Sequence, residues 1–104
     1  MAYIDVCKQS YISEGELVPC TAGDKEIIIM WPDGGEPKAF KSACPHEGVS
    51  LGRGDFNGRI LYCIAHGWVF DGRTGKSLQP EGWTLEEYPL RIQEGMVQVD
   101  VVGK

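Results

Sequence analysis

Both histidines of this chain, His46 and His66, lie within three residues of a cysteine. Cys44 and His46 frame the tripeptide CPH, and Cys63 and His66 frame CIAH. The pattern is Cys-x-His, sixteen intervening residues, then Cys-x-x-His. Two short loops, each offering one thiolate and one imidazole, can close around a single metal centre. Glycines follow each pair, Gly48, Gly52 and Gly54 after the first and Gly67 and Gly72 after the second. A residue without a Cβ lets the backbone approach such a centre closely.

The donor set admits more than one chemistry. Two cysteines and two histidines can make a tetrahedral structural zinc site, but zinc modules usually group like ligands as C-x₂₋₄-C and H-x₃₋₅-H. Here each loop mixes one thiolate with one imidazole. That suits a two-iron centre in which one iron takes both thiolates and the other both imidazoles. Cys63 and His66 could alternatively act as nucleophile and base, although nothing evident orients the histidine and the Cys44/His46 pair would be left unexplained. Two buried cysteines and two unrelated surface histidines are the plainest alternative.

These loops need a scaffold. YIDVC alternates like a strand, and SEGELVPC reads as a turn at Glu14-Gly15 followed by a second strand. KEIIIMW is a β-branched run expected to be a buried strand, and PDGG a turn leading back into PKAFKSA. RILYC and GWVFD predict a short hairpin. EYPLRIQ, a turn at Glu94-Gly95, and MVQVDVV predict another hairpin. Between Cys44 and Trp83 lie eight glycines and both histidines, so this stretch reads as loops around one hairpin. No helix is expected. The fold class is therefore all-β, with a Gly-rich lobe inserted into a strand scaffold built from both ends of the chain.

The bulk composition agrees. A chain of 104 residues is one domain and gains from a metal staple, because so short a chain buries a limited core. Fourteen glycines imply many tight turns, and 42% hydrophobic residues exclude a disordered chain. Fifteen acidic against ten basic residues give a formal charge of −5, which argues against nucleic acid or an anionic membrane as the partner. The opening MAYIDVCKQS has no apolar signal region, and the longest apolar run, Ile27 to Trp31, is too short to span a bilayer. The expectation is a soluble, cytoplasmic monomer whose four cysteines are metal ligands or free thiols rather than a disulfide framework.

The stretch CPHEGVSLGRGDFNGRILYCIAHGWVFDGRTGK resembles the Rieske ferredoxins of bacterial aromatic oxygenase systems, and the resemblance covers nearly the whole chain. It implies a single Rieske-type domain, with a cluster-binding subdomain at about residues 43–83 inserted into an antiparallel scaffold formed by 1–42 and 84–104. It implies one Rieske-type [2Fe–2S] cluster, with Cys44 and Cys63 on one iron and His46 and His66 on the outer iron. Pro45, Gly48, Gly67 and Trp68 would lie beside it. Pro45 would stiffen its loop, and Trp68 would shield the cluster or lie where the electron leaves. The role implied is a one-electron carrier, not itself an enzyme, that accepts electrons from a flavin-type reductase and passes them to a terminal oxygenase. WPDGGEPKAF, CPH, AHGWVFD and EYPLRI are most similar to the ferredoxins of diiron toluene monooxygenases, and dioxygenase ferredoxins more often carry CTH. The alternatives are a dioxygenase ferredoxin, the Rieske-type small subunit of a nitrite reductase or similar redox enzyme, and, remotely, a zinc-stabilised interaction domain.

The same resemblance informs by what is missing. Respiratory Rieske proteins carry an extra cysteine in each loop, where this chain has Val49 and Ala65, and hydroxyls near the cluster, where it has Trp68 and Phe70. Fewer donors to the cluster sulfurs imply a low potential. Cys7 and Cys20 have no partner ligand nearby in sequence and read as buried free thiols in strands. Trp31, Trp83, Tyr88 and Phe40 read as core or joint residues, and Glu47, Asp55, Glu81, Glu86 and Glu87 as solvated or partner-facing.

Overall fold

The computed structural model describes residues 3–42, 54–63, 68–79 and 81–101. Twelve strands run in chain order: β1 Ile4–Lys8, β2 Leu17–Ala22, β3 Lys25–Met30, β4 Lys38–Lys41, β5 Asp55–Phe56, β6 Ile60–Tyr62, β7 Val69–Asp71, β8 Lys76–Gln79, β9 Glu81–Thr84, β10 Glu87–Tyr88, β11 Leu90–Gln93 and β12 Met96–Val99. Among the described residues there is no α-helix, only one 3₁₀ turn at Gln9–Tyr11.

The strands form three antiparallel sheets, ordered β1-β12-β11, β10-β4-β3-β2 and β5-β6-β7-β8-β9. β3 sits inside the four-stranded sheet and is buried from Ile27 to Met30. Successive side chains of a strand point to opposite faces, and here the two faces line different cores. Ile27 and Ile29 pack with Ala39, Tyr88, Val97 and Val99 against the three-stranded sheet. Ile28 and Met30 pack with Phe40, Leu61, Phe70 and Leu85 against the five-stranded sheet. The four-stranded sheet is thus the middle layer, and its continuous apolar run is what a doubly covered strand requires.

Two expectations need correction. The stretch after Cys44 is not loops around one hairpin. β5, β8 and β9 join the β6–β7 hairpin to make a five-stranded sheet. These added strands are two to four residues long, and sequences such as KSLQ and EGWT carry too little alternation to be read as strands. EYPLRIQ is not one strand either. It breaks at Pro89 into β10, which pairs with β4, and β11, which pairs with β12. Proline cannot donate to a ladder, so the chain changes sheets there. Pro19 is tolerated within β2 because β2 is an edge strand.

The turn after β3 ties the layers together. Asp33 donates its N–H to Gly58 O at 2.7 Å, and Arg73 Nη2 donates to Asp33 O at 2.8 Å. From the scaffold side, Gly34 N–H reaches Glu14 Oε2 at 2.7 Å and Gly15 N–H reaches Trp31 O at 2.6 Å. Gly58 has φ 96, and a Cβ there would lie 2.5 Å from Asp33 Oδ2, so only glycine fits this close approach.

Candidate metal centre

Cys63 follows β6 directly and is buried, 2% exposed, in the core shared with Ile28, Met30, Phe40 and Phe70. Its N–H donates to Trp68 O at 2.8 Å. β6 and β7 pair as Leu61↔Phe70 and Tyr62↔Val69, so the Cys63–Trp68 bond extends that ladder by one rung. The segment 64–67, which includes His66 and Gly67, therefore starts and ends at one hydrogen bond anchored on a rigid hairpin. His66 and Gly67 themselves lie outside the described residues, as do Cys44, Pro45, His46 and Gly48. Val49 and Ala65 lie there as well.

The segment carrying the first ligand pair leaves from a different sheet. It starts after Ser42, which is buried and donates its N–H to Glu26 O at 3.2 Å, and ends at Gly54 before β5. One candidate loop is thus rooted in the five-stranded sheet, and the other crosses from the middle sheet to it. Among the described residues no three potential ligands come together, since only Cys63 of the four belongs to them.

Trp68 is 9% exposed and packs in the same core as Cys63. Its ring centroid lies 6.2 Å from Phe70 and 5.6 Å from Trp83, both tilted contacts of the kind aromatic pairs favour. Trp83 is 46% exposed, so the expectation of a core or joint residue is corrected. It is the outer member of an aromatic pair whose inner member covers the neighbourhood of Cys63. Its N–H is held by Ser77 Oγ at 2.9 Å. Phe40 and Tyr88 are buried as expected, and Trp31 is half-buried, with its indole N–H on Gly35 O. Asp55, Glu86 and Glu87 are exposed. Glu86 accepts the Tyr88 hydroxyl at 3.1 Å, which together with burial raises the Tyr88 pKa. Glu47 and the side chain of Glu81 lie outside the described residues.

Cys7 and Cys20 are in strands, but they are half-buried rather than fully buried; they pack against one core, and each perturbs the ionisation of the other. Sequence reading missed that pairing. Only the sheet register could reveal it.

The chain matches the Rieske [2Fe-2S] domain family over residues 2–89. The chain belongs to the Rieske [2Fe–2S] domain family. Across 98 residues this Rieske domain is 31% identical to the ferredoxin component of an alkene monooxygenase system from Xanthobacter autotrophicus, covering 93% of this chain and 80% of the relative. It is 30% identical over 100 residues to the ferredoxin component of a naphthalene 1,2-dioxygenase system from Pseudomonas putida, covering 95% of both. Among solved structures, a complex of reduced oxygenase and oxidised ferredoxin in carbazole 1,9a-dioxygenase contains a chain that superposes with a TM-score of 0.79 at 25% identity, covering 93% of this chain and 91% of that one. Membership of this family implies a Rieske-type cluster and sets aside the zinc-stabilised interaction domain.

The residues fit that group. Two thiolates and two neutral imidazoles are the donor set a Rieske centre uses, and Cys63 is a free, buried cysteine at the end of a strand with an aromatic cover beside it. No helix of the described residues is long and apolar enough to cross a membrane.

Proposed function

We propose that this protein is the ferredoxin of a bacterial oxygenase system, carrying one electron at a time from a flavin-type reductase to a terminal oxygenase. The observation that supports this reading is a Rieske domain that is 30–31% identical, over most of its length, to the ferredoxin components of a monooxygenase system and a dioxygenase system. A carrier of this kind makes and breaks no bond in a substrate.

Cys44, His46, Cys63 and His66 hold a single [2Fe–2S] cluster, within a cluster-binding subdomain at about residues 43–83. The cluster supplies a one-electron couple. The chain's own residues do the rest. Cys63 is held by its backbone bond to Trp68 and by the core packed around it. Trp68 and Phe70 keep water from that side of the thiolate and offer no hydroxyl to it. Pro45, Gly48 and Gly67 shape the two loops. Half-exposed Trp83, beside Trp68, belongs to the face that meets the partners, and the second ring nitrogens of His46 and His66, if exposed, are the points of electron entry and exit.

The oxygenase is of the diiron monooxygenase type, acting on aromatic hydrocarbons. The alkene monooxygenase relative supports a monooxygenase partner, and the naphthalene dioxygenase relative supports the dioxygenase alternative. The protein works as a monomer in the cytoplasm.

Reconstitution tests this. Holo-protein, a flavin reductase with NADH, and candidate monooxygenase and dioxygenase components are mixed, and oxygenated product is measured with and without the ferredoxin. Product formation strictly dependent on the ferredoxin and on one oxygenase type supports the reading. A holo-protein that the reductase bleaches normally but that sustains turnover with no oxygenase would overturn it.

A further inference from the structure

Cys7 and Cys20 stand outside the cluster machinery, and their placement is built by two features of the sheets. β1 pairs with β12 as Ile4↔Val99 and Asp5↔Gln98, then skips Val6 and resumes as Cys7↔Val97. This bulge adds one residue and flips the side-chain alternation. Cys7 therefore stands opposite buried Val97, on the same face as Ile4, and turns toward the middle sheet. On β2, Cys20 stands opposite buried Ile27, whose side chain faces the same core. Both cysteines pack against that core, on strands β1 and β2 that lie against each other, and each perturbs the ionisation of the other.

We propose that Cys7 and Cys20 form a second redox site, a dithiol that low-molecular-weight disulfides oxidise to a disulfide joining the three-stranded sheet to the four-stranded sheet. Among the described residues β1 and β2 are each an edge strand of their sheet, so each can shift to bring the sulfurs to the ~2.05 Å bond length at little cost to its ladder. Both cysteines are half-buried, and Cys20 also lines an open depression of about 190 Å³ with Thr21, Glu26 and Ser42, the side from which small oxidants approach.

The chemistry balances in two exchanges. The Cys7 thiolate attacks the external disulfide, forms a mixed disulfide and releases one thiol. Cys20 then attacks the Cys7 sulfur, forms the intramolecular bond and releases the second thiol. The oxidant gains two electrons, and the protons of Cys7 and Cys20 end on the two thiols released. The order is set by the surroundings. Burial raises both pKa values, Cys20 to about 12, whereas the hydrogen bond from Cys20 favours the thiolate of Cys7. Cys7 is the attacking residue and Cys20 the resolving one.

The site is independent of the electron-carrier reading, and its test does not use turnover. Holo-protein is incubated anaerobically with excess glutathione disulfide at pH 8.5, checked for an unchanged visible spectrum, then unfolded in acid with a maleimide and analysed by mass. The expected result is two alkylated cysteines instead of four, a Cys7–Cys20 cross-linked peptide reversed by dithiothreitol, and a melting temperature raised by roughly 5–15 °C. In Cys20→Ser, glutathione accumulates on Cys7. In Cys7→Ser, modification of Cys20 is at least ~10-fold slower than that of Cys7 in Cys20→Ser, because burial still disfavours the Cys20 thiolate. Four alkylated cysteines after prolonged oxidation, a stable glutathione adduct on the wild-type protein, or faster modification of Cys20 than of Cys7 would each overturn the proposal.

Discussion

The two faces of β3 look onto two different kinds of interior. Ile27 and Ile29 face a core of aliphatic side chains and Tyr88, closed between two sheets. Ile28 and Met30 face a core that holds Phe40, Phe70 and Trp68 and includes Cys63, and from which the segment carrying His66 departs. Adjacent residues on one strand thus serve stability alone or stability and site together. The cysteines divide in the same way. Cys63, the proposed ligand, is buried at the end of a strand, and Cys7 and Cys20 sit half-buried on two edge strands that pack on the other core.

Breaking the ligand set tests this division most severely. Cys63→Ser replaces a soft thiolate by a hard oxygen, and metal-binding free energy is folding free energy in small sites. It should abolish the visible absorption and the bound iron, and Cys44→Ser should do the same. Cys7→Ser and Cys20→Ser should keep both. Iron lost from either of the latter two would mean the division of roles is wrong.

Ile28→Ala and Ile29→Ala probe the two faces directly. Both residues are fully buried, so each change should cost about 2–4 kcal/mol in chemical denaturation. Only Ile28→Ala should alter the visible circular dichroism of the cluster, because only its cavity opens beside the core of Cys63.

The aromatic lining of that core should also set the midpoint potential. Rieske centres span roughly −150 to +300 mV, and hydrogen bonds to the sulfurs raise the value. Trp68 and Phe70 supply no hydroxyl, so protein-film voltammetry at pH 7 should give about −150 to −50 mV. Phe70→Tyr should shift it upward. A wild-type value above about +150 mV would show that other donors dominate.

On the scaffold side the expected effects are smaller. The Cys20 thiol is raised from its ordinary 9.0 to about 12 by burial, with Cys7 adding to the rise. A raised thiol pKa means that the folded state keeps a proton the unfolded state releases. The contribution to stability is complete below pH 9 and falls as the pH rises toward 12. Melting curves from pH 8 to 11 should therefore fall more steeply for the wild type than for Cys20→Ala, and parallel curves would remove this role. The smallest effect is expected at the β11–β12 turn, where Glu94 has φ 54 and Gly95 φ 80. Glu94→Gly relieves a conformation that L-residues disfavour and should stabilise by about 0.5 kcal/mol with no spectral change.

The Cys-x-His and Cys-x-x-His pattern was legible because residue type and spacing survive without any fold, and it pointed to the family that the chain matches. The long strands were legible for a similar reason. KEIIIMW carries its burial in its composition, and Glu94-Gly95 carries its turn in its backbone preferences. What depended on distant chain segments was not legible. The short strands β5, β8 and β9 exist because β6 and β7 offer them a ladder, not because their own sequences demand it. Trp83 looked like any core tryptophan until its contact with Trp68 placed it at the surface. Cys7 and Cys20 meet only because one bulge at Val6 reverses the face of β1, and a one-residue shift in register leaves no mark in local alternation. Sequence alone determined the family, through a motif of residue types at fixed spacing. Packing between sheets decided which core shelters Cys63, which tryptophan faces outward and which strands bring Cys7 and Cys20 onto one core, because those depend on register and layer order rather than on residue type.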